Sequence, residues 1–332
     1  MLFQKPPKWI ASMISDIKLG YSCNNDCVHC VIAGNREQLR RRRLPINLKT
    51  DECLRLVSQA HAAGATRVVL TGGEPTIRKD FPEILQSCHQ MGLTVEIQTN
   101  GRMLGDPSFC DDLEILQHDS FSVAVHGPSA SIHDAITRRP GSYADTMRAL
   151  SNLATRSWTA AGKVVISSLN AQYLLDTLTC LHRMKVRNCN FAFPHAQGFT
   201  KETFNRVVPR YSDLREVFHQ LLDESQLLGV LLSFEAVPFC IIPRRPGAIA
   251  ELGFLGGDRR VFTSVGEATL DWTKVRRAIK RKGVSCQACS VDLICEGPWE
   301  EYVDHFGFDE FVPLEFDAAT VTKLLGAVIR KG

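Results

Sequence analysis

The chain has 332 residues, 44% of them hydrophobic, with 12 cysteines and a formal net charge of +3. That apolar content supplies a large core with room for a smaller second domain, and a charge so near balance carries no nucleic-acid footprint. No apolar run approaches the roughly 18 residues of a membrane span, and the first ten residues lack a signal-peptide core and cleavage site, so the chain reads as cytoplasmic with no membrane partner.

Residues 13–19 predict a first strand, which delivers the chain into Tyr21-Ser-Cys-Asn-Asn-Asp-Cys-Val-His-Cys30. The spacing C-x3-C-x2-C puts Cys23, Cys27 and Cys30 on one loop. Three thiolates so placed can wrap one metal–sulfur cluster and leave a [4Fe-4S] cube one ligand short. Zinc is the alternative, with His29 as a further ligand, although His29 is wedged between ligand positions. The run Arg40-Arg-Arg-Arg43 follows, as a solvated face or a surface that steers an anionic partner.

Next come a helix over 50–63, a strand over 67–70 and the turn Thr71-Gly-Gly-Glu-Pro75. A helix over 81–91 leads to a strand over 94–98, which ends at Thr99-Asn-Gly101. A short helix over 113–117 and a strand over 120–125 lead to His126. A helix over 143–154, a strand over 163–167 followed by Asn170, a helix over 171–183 and a strand over 188–193 running into His195 complete the pattern. About six βα units in series imply a parallel sheet, and in barrels of that type sites form at the C-terminal ends of strands. Glu74, Gln98, Asn100, His126, Asn170 and His195 all fall there.

After residue 200 the pattern changes. A helix over 213–228 and a strand over 231–237 lead into Pro238-Phe-Cys240. Residues 243–260, rich in Gly, Pro and Arg, read as a loop, and the last helix is expected over 318–330. Between them lies Cys286-Gln-Ala-Cys289-Ser-Val-Asp-Leu-Ile-Cys295, a C-x2-C-x5-C run. Cys240 is the best fourth ligand for it. The same four cysteines also suit zinc, while Cys189 reads as core. Two cysteine clusters at opposite ends of a long chain read as two metal sites rather than a disulfide scaffold.

The first cysteine run, followed some 40 residues later by Gly72-Gly-Glu-Pro75, resembles the radical S-adenosylmethionine (radical SAM) enzymes over about residues 13–195. The resemblance implies a partial (β/α)6 TIM-like barrel in an α/β fold. It implies a core domain over 13–200 and a smaller α+β auxiliary-cluster domain of the SPASM or twitch type over 201–332. Cys23, Cys27 and Cys30 would bind a [4Fe-4S] cluster whose open iron SAM completes. One electron would cleave SAM to a 5'-deoxyadenosyl radical that abstracts a substrate hydrogen. Gly72, Gly73, Glu74 and Pro75 would hold the SAM ammonium, with Gln98, Asn100, His126, Arg139 and Asn170 as further SAM contacts. Cys240, Cys286, Cys289 and Cys295 would hold one auxiliary [4Fe-4S] cluster. His195 is the candidate base, with Glu235 and Tyr302 as further substrate contacts, and Asp292, Glu296 and Trp299 lie beside the auxiliary site.

The implied activity is radical oxidation or maturation of a peptide or biosynthetic small molecule, served by a one-electron donor such as flavodoxin or ferredoxin. The alternatives are a radical SAM isomerase, epimerase or bond-forming enzyme on a small metabolite, and a non-catalytic iron–sulfur or zinc scaffold. The short stretch before the first strand favours a small substrate over a peptide.

Overall fold

The computed structural model describes residues 13–329 apart from 198, 200 and 256–258. The N-terminal ten residues, part of the 243–260 stretch and the end of the last expected helix therefore lie outside the described residues. Nine strands form one sheet: β1 (Met13–Lys18), β2 (Ala65–Thr71), β3 (Thr94–Thr99), β4 (Ser120–Ala124), β5 (Thr159–Val165), β6 (Asn188–Ala192), β7 (Leu231–Glu235), β8 (Arg259–Thr263) and β9 (Leu270–Asp271). Their order is β7-β6-β5-β4-β3-β2-β1-β8-β9. Every pairing is parallel except β8 with β9. Among the described residues no helix is long and apolar enough to cross a membrane.

Sequence pattern explains most of this. In β2, Val68, Val69 and Leu70 are all fully buried, as expected of a parallel strand covered on both faces. β3 alternates, with Val95, Ile97 and Thr99 buried in the core and Glu96 and Gln98 half-exposed on the other face. Helix Phe81–Gln90 buries Phe81, Ile84, Leu85 and Cys88, the i, i+3, i+4, i+7 stripe of a core-facing helix. Cys53, Cys88, Cys110 and Cys189 are buried core residues.

Four expectations need correction. The helix near residue 113 lies instead at Pro107–Asp111, because Pro107 suits a first helical position and Asp106 caps it, accepting from Ser108 N. The parallel series does not stop at β6: β7 pairs with it in register. The stretch over 243–260 is not all loop, since helix Leu252–Leu255 lies within it and β8 begins at Arg259 and pairs with β1. Helix Ala33–Arg41 was not foreseen; it buries none of its residues, so hydrophobic periodicity is blind to it.

Candidate active site and metal centres

The chain leaving β1 is strapped to the turn after β2. Leu19 N donates to Thr71 O at 3.0 Å, Gly73 N to Gly20 O at 2.8 Å and Glu74 N to Ser22 O at 2.8 Å. The approach is so close that a Cβ on Gly72 would stand 2.2 Å from Gly20 O, and one on Gly73 would stand 2.1 Å from Ser22 O. Gly72 also has φ +130, which only glycine adopts at little cost. These two glycines therefore seat the stem of the cysteine loop. Asn47 holds its other side, accepting from Ser22 N at 3.1 Å and donating to Ser22 Oγ at 2.9 Å.

Further along, the loop rests on two neighbouring segments. Asp26 N donates to Thr137 O and Val28 N to Ile136 O, each at 2.9 Å. Asn100 Nδ2 donates to Asn24 Oδ1 at 2.7 Å and lies 3.8 Å from Cys23 Sγ. Arg102 Nη1 donates to Asn24 O at 2.6 Å while its Nε pairs with Asp145 at 2.9 Å. Asn100 was foreseen at this site. Arg102, two residues on, was not, although an arginine beside a strand-end turn is the signal. Burial pushes the Cys23, Cys27 and Cys30 thiols up. Such buried sulfurs become thiolates readily only when a metal supplies the compensating charge.

His126 follows β4 as expected, but it belongs to a buried stack. Its ring lies 4.5 Å edge-on to His29 and 5.7 Å from His133, which lies 5.8 Å from Tyr143. Among the described residues, one trio of possible ligand atoms, on Cys27, His29 and His126, falls within 4.8 Å of one another. His126 N donates to His133 Nδ1 at 3.1 Å, which fixes the neutral tautomer of His133 with its proton on Nε2. Burial pushes His133 down to about 4. An unfolded histidine titrates near 6.5, so the unfolded state takes up the proton first. The stability is present above that value and is lost as pH falls toward 4. Moving from pH 7 to pH 5 should cost about 2 kcal/mol through this residue. In His133→Asn, which keeps an acceptor for His126 N, denaturant unfolding at the two pH values should lose that increment. An unchanged pH slope would contradict the buried neutral ring.

The other foreseen contacts divide. Glu74 is buried and its carboxylate accepts four hydrogen bonds from Thr76 N, Thr76 Oγ1, Thr99 Oγ1 and Asn100 N, at 3.1, 2.6, 2.8 and 2.6 Å. Burial pushes its carboxyl up and these donors oppose the shift. Asn170 is fully buried and braces β4 to β5, donating to His126 O at 3.0 Å and Val165 O at 2.9 Å and accepting from Ser167 N at 2.7 Å. Both side chains thus have their partners inside the protein, and the polar character that marked them as ligand contacts is that of interior pins. Pro75 opens a short 3-10 turn and is buried. Gln98 accepts from Thr71 Oγ1 at 3.1 Å, and Arg139 is exposed. Tyr302 is no substrate contact: it is buried among Phe193, Tyr211, Phe306 and Phe311.

The second cysteine cluster does assemble. Cys240, Cys286, Cys289 and Cys295 line one apolar cavity with Pro238, Phe239 and Phe308. Burial pushes the Cys240 thiol up to about 12 and the Cys295 thiol up as well. No three of these four sulfurs lie mutually within 4.8 Å. Thiolates around one tetrahedral zinc ion stand about 3.8 Å apart, given Zn–S of about 2.3 Å. His195 stacks on Trp299 at 4.2 Å, and its Nε2 lies 3.4 Å from Glu301 Oε1. It therefore links the end of β6 to the segment just beyond Cys295.

A family model described as the Radical SAM superfamily matches residues 17–181. The chain is 31% identical over 247 residues to the mycofactocin maturase MftC of Mycolicibacterium smegmatis, covering 74% of this chain and 59% of that protein. It is 25% identical over 211 residues to an AdoMet-dependent heme synthase of Methanosarcina barkeri, covering 63% and 58%. The chain thus spans less than two thirds of the length of either relative. The crystal structure of Streptococcus suis SuiB bound to S-adenosylmethionine superposes with a TM-score of 0.63 at 16% identity, covering 92% of this chain and 77% of that one, a likeness of fold.

Proposed function

Because the chain belongs to the radical SAM superfamily, we propose that it is an enzyme of oxidative peptide maturation, with Cys23, Cys27 and Cys30 as ligands of a SAM-binding [4Fe-4S] cluster. When bound, that group supplies the electron that cleaves SAM to the 5'-deoxyadenosyl radical. The observation that carries the reading is the strap between the cysteine loop and Gly72-Gly-Glu-Pro75, which brings the two separated motifs of the family into direct hydrogen-bonded contact. In this reading the backbone of the glycine turn, rather than the Glu74 side chain, faces SAM.

In this reading the substrate meets the half-exposed face of β5 to β7, which is polar. There Lys163 Nζ donates to Glu235 and, at 2.5 Å, to Asn190 Oδ1, while Asn190 Nδ2 donates to Ser233 Oγ at 2.9 Å. Such a face suits a hydrogen-bonding substrate rather than a hydrocarbon. The names of the relatives, mycofactocin maturase and, at 24% identity over 191 residues, the PqqA peptide cyclase of Ruegeria pomeroyi, favour a peptide over the small molecule expected from the sequence. Residues 13–200 would serve SAM, and 201–332 would carry one auxiliary [4Fe-4S] cluster on Cys240, Cys286, Cys289 and Cys295. The exposed Arg40, Arg41, Arg42 and Arg43, close beyond Cys30, suit docking of an acidic one-electron carrier. A cytoplasmic site of action accords with buried free thiols.

Anaerobically reconstituted protein with SAM and dithionite should release 5'-deoxyadenosine. With a flavodoxin as donor, the release should slow as salt rises. Faster release with a mass change in an added precursor peptide supports maturation. Stimulation by small metabolites alone favours the isomerase reading. No release from cluster-loaded protein would remove the enzyme assignment.

A further inference from the structure

Beneath the second cysteine cavity lies a set of buried charges. The Lys280 side chain is 1% exposed, and its Nζ donates to Glu251 Oε1 and Glu296 Oε2, each at 2.9 Å. Glu296 also receives both arms of buried Arg276, with Nε at 2.6 Å. Burial alone would push the Glu296 carboxyl up, but Arg276 and Lys280 outweigh it and hold it below the usual carboxylate range. These contacts join two cations, Arg276 and Lys280, to two carboxylates, Glu251 and Glu296. Such a set is no default source of stability, because apolar residues of similar volume often pack as well or better. What it supplies here is position.

Each carboxylate holds a segment that carries a cysteine. Glu296 directly follows Cys295. Glu251 Oε1 accepts from Ala236 N at 2.7 Å, and Tyr211 Oη donates to Ala236 O at 2.6 Å. Ala236 has φ +59, a left-handed conformation that strains a residue with a Cβ. It turns the chain out of β7 toward Cys240, and buried side chains grip both of its backbone polar groups. Lys280 joins the two grips. Its own backbone is fixed beside the cavity, with Arg281 N donating to Pro298 O and Glu300 N to Ile279 O, each at 3.0 Å. Gly297 makes this pairing possible, since a Cβ there would stand 2.2 Å from Arg281 O. Lys280 Nζ lies 4.6 Å over the ring of Trp299, the residue that stacks on His195.

We propose that Lys280, with Glu251 and Glu296, is a positioning residue of the second metal centre: it locks the two segments bearing Cys240 and Cys295 at the separation that four cysteinyl ligands of one cluster require. The inference rests on the reading of the second cavity as an iron–sulfur site.

The test compares reconstituted full-length protein with Lys280→Met and with Lys280→Met/Glu296→Gln, the latter removing one charge of each sign should the single variant fail to fold. Wild type should hold about eight irons per chain, and the double variant about four, in line with two [4Fe-4S] clusters and one. The double variant should keep the SAM-induced change in the electron paramagnetic resonance signal of the first cluster and should lose the second signal. Eight irons with an unchanged second signal and reduction potential in the double variant would overturn the positioning role alone. Four irons in the wild type would overturn the reading of the second cavity together with it.

Discussion

Cys27→Ser is expected to fold and yet release no 5'-deoxyadenosine above background. The loop around Cys27 is held by backbone bonds from Asp26 N to Thr137 O and from Val28 N to Ile136 O, and neither involves the thiol. A serine oxygen fits the space but is a poor ligand where soft thiolate sulfur is wanted. Iron should fall from about eight to about four per chain, the content of one remaining [4Fe-4S] cluster. Cys53, by contrast, is a fully buried core residue of helix Thr50–Ala62, so Cys53→Ala should keep all of the iron. Iron assay with chromatographic detection of 5'-deoxyadenosine separates the two. Cleavage by Cys27→Ser at wild-type rate would remove Cys27 from the ligand set.

Glu74→Gln should destabilise the protein by about 3 kcal/mol and weaken SAM binding, although it alters little of the side chain's size. Oε1 of the amide can keep Thr76 N, Thr76 Oγ1 and Thr99 Oγ1. The amide nitrogen then faces Asn100 N, which now donates to Oε2 at 2.6 Å, and two donors meet in the interior. A charge-assisted bond is lost and a buried N–H is left without an acceptor. Asn100 shifts with it, and Asn100 Nδ2 is the group that meets Asn24 beside Cys23. Denaturant midpoints and the SAM-induced change in the cluster signal measure the two effects separately. A variant as stable as wild type would show that Glu74 is not the pin described.

Much of this was legible in the residues because the chemistry is local. Cys23, Cys27 and Cys30 and the Gly72-Gly-Glu-Pro75 turn are short runs whose spacing constrains what they can hold, and alternating apolar runs marked β1 to β7 to within a few residues. The pairing of β8 with β1 was not legible, because its partner lies more than 200 residues earlier and a short strand behind a Gly-, Pro- and Arg-rich stretch carries no local sign of it. Glu74 and Asn170 show a second limit. A polar residue at a strand end suits a ligand and a buried pin equally, and only the positions of Thr99, Asn100 and His126 decide between them. His133 was hidden for the same reason, since burial is not a property of the residue type, and His29 was legible only as a possible zinc ligand and not as a member of the buried stack.

The order of the sheet gives the second cysteine cavity a mechanical meaning. β7 and β9 stand at opposite margins, and among the described residues no pairing joins them. Cys240 is reached from β7, whereas Cys286, Cys289 and Cys295 come after β9, yet all four line one cavity. A cluster in that cavity would add a sulfur fastening to the side-chain ties that Glu251, Lys280 and Glu296 already make between the segments after the two margins. An architecture closed by backbone hydrogen bonds keeps its girth regardless of redox state; one fastened through sulfur can change its girth when the fastening is oxidised, reduced or lost.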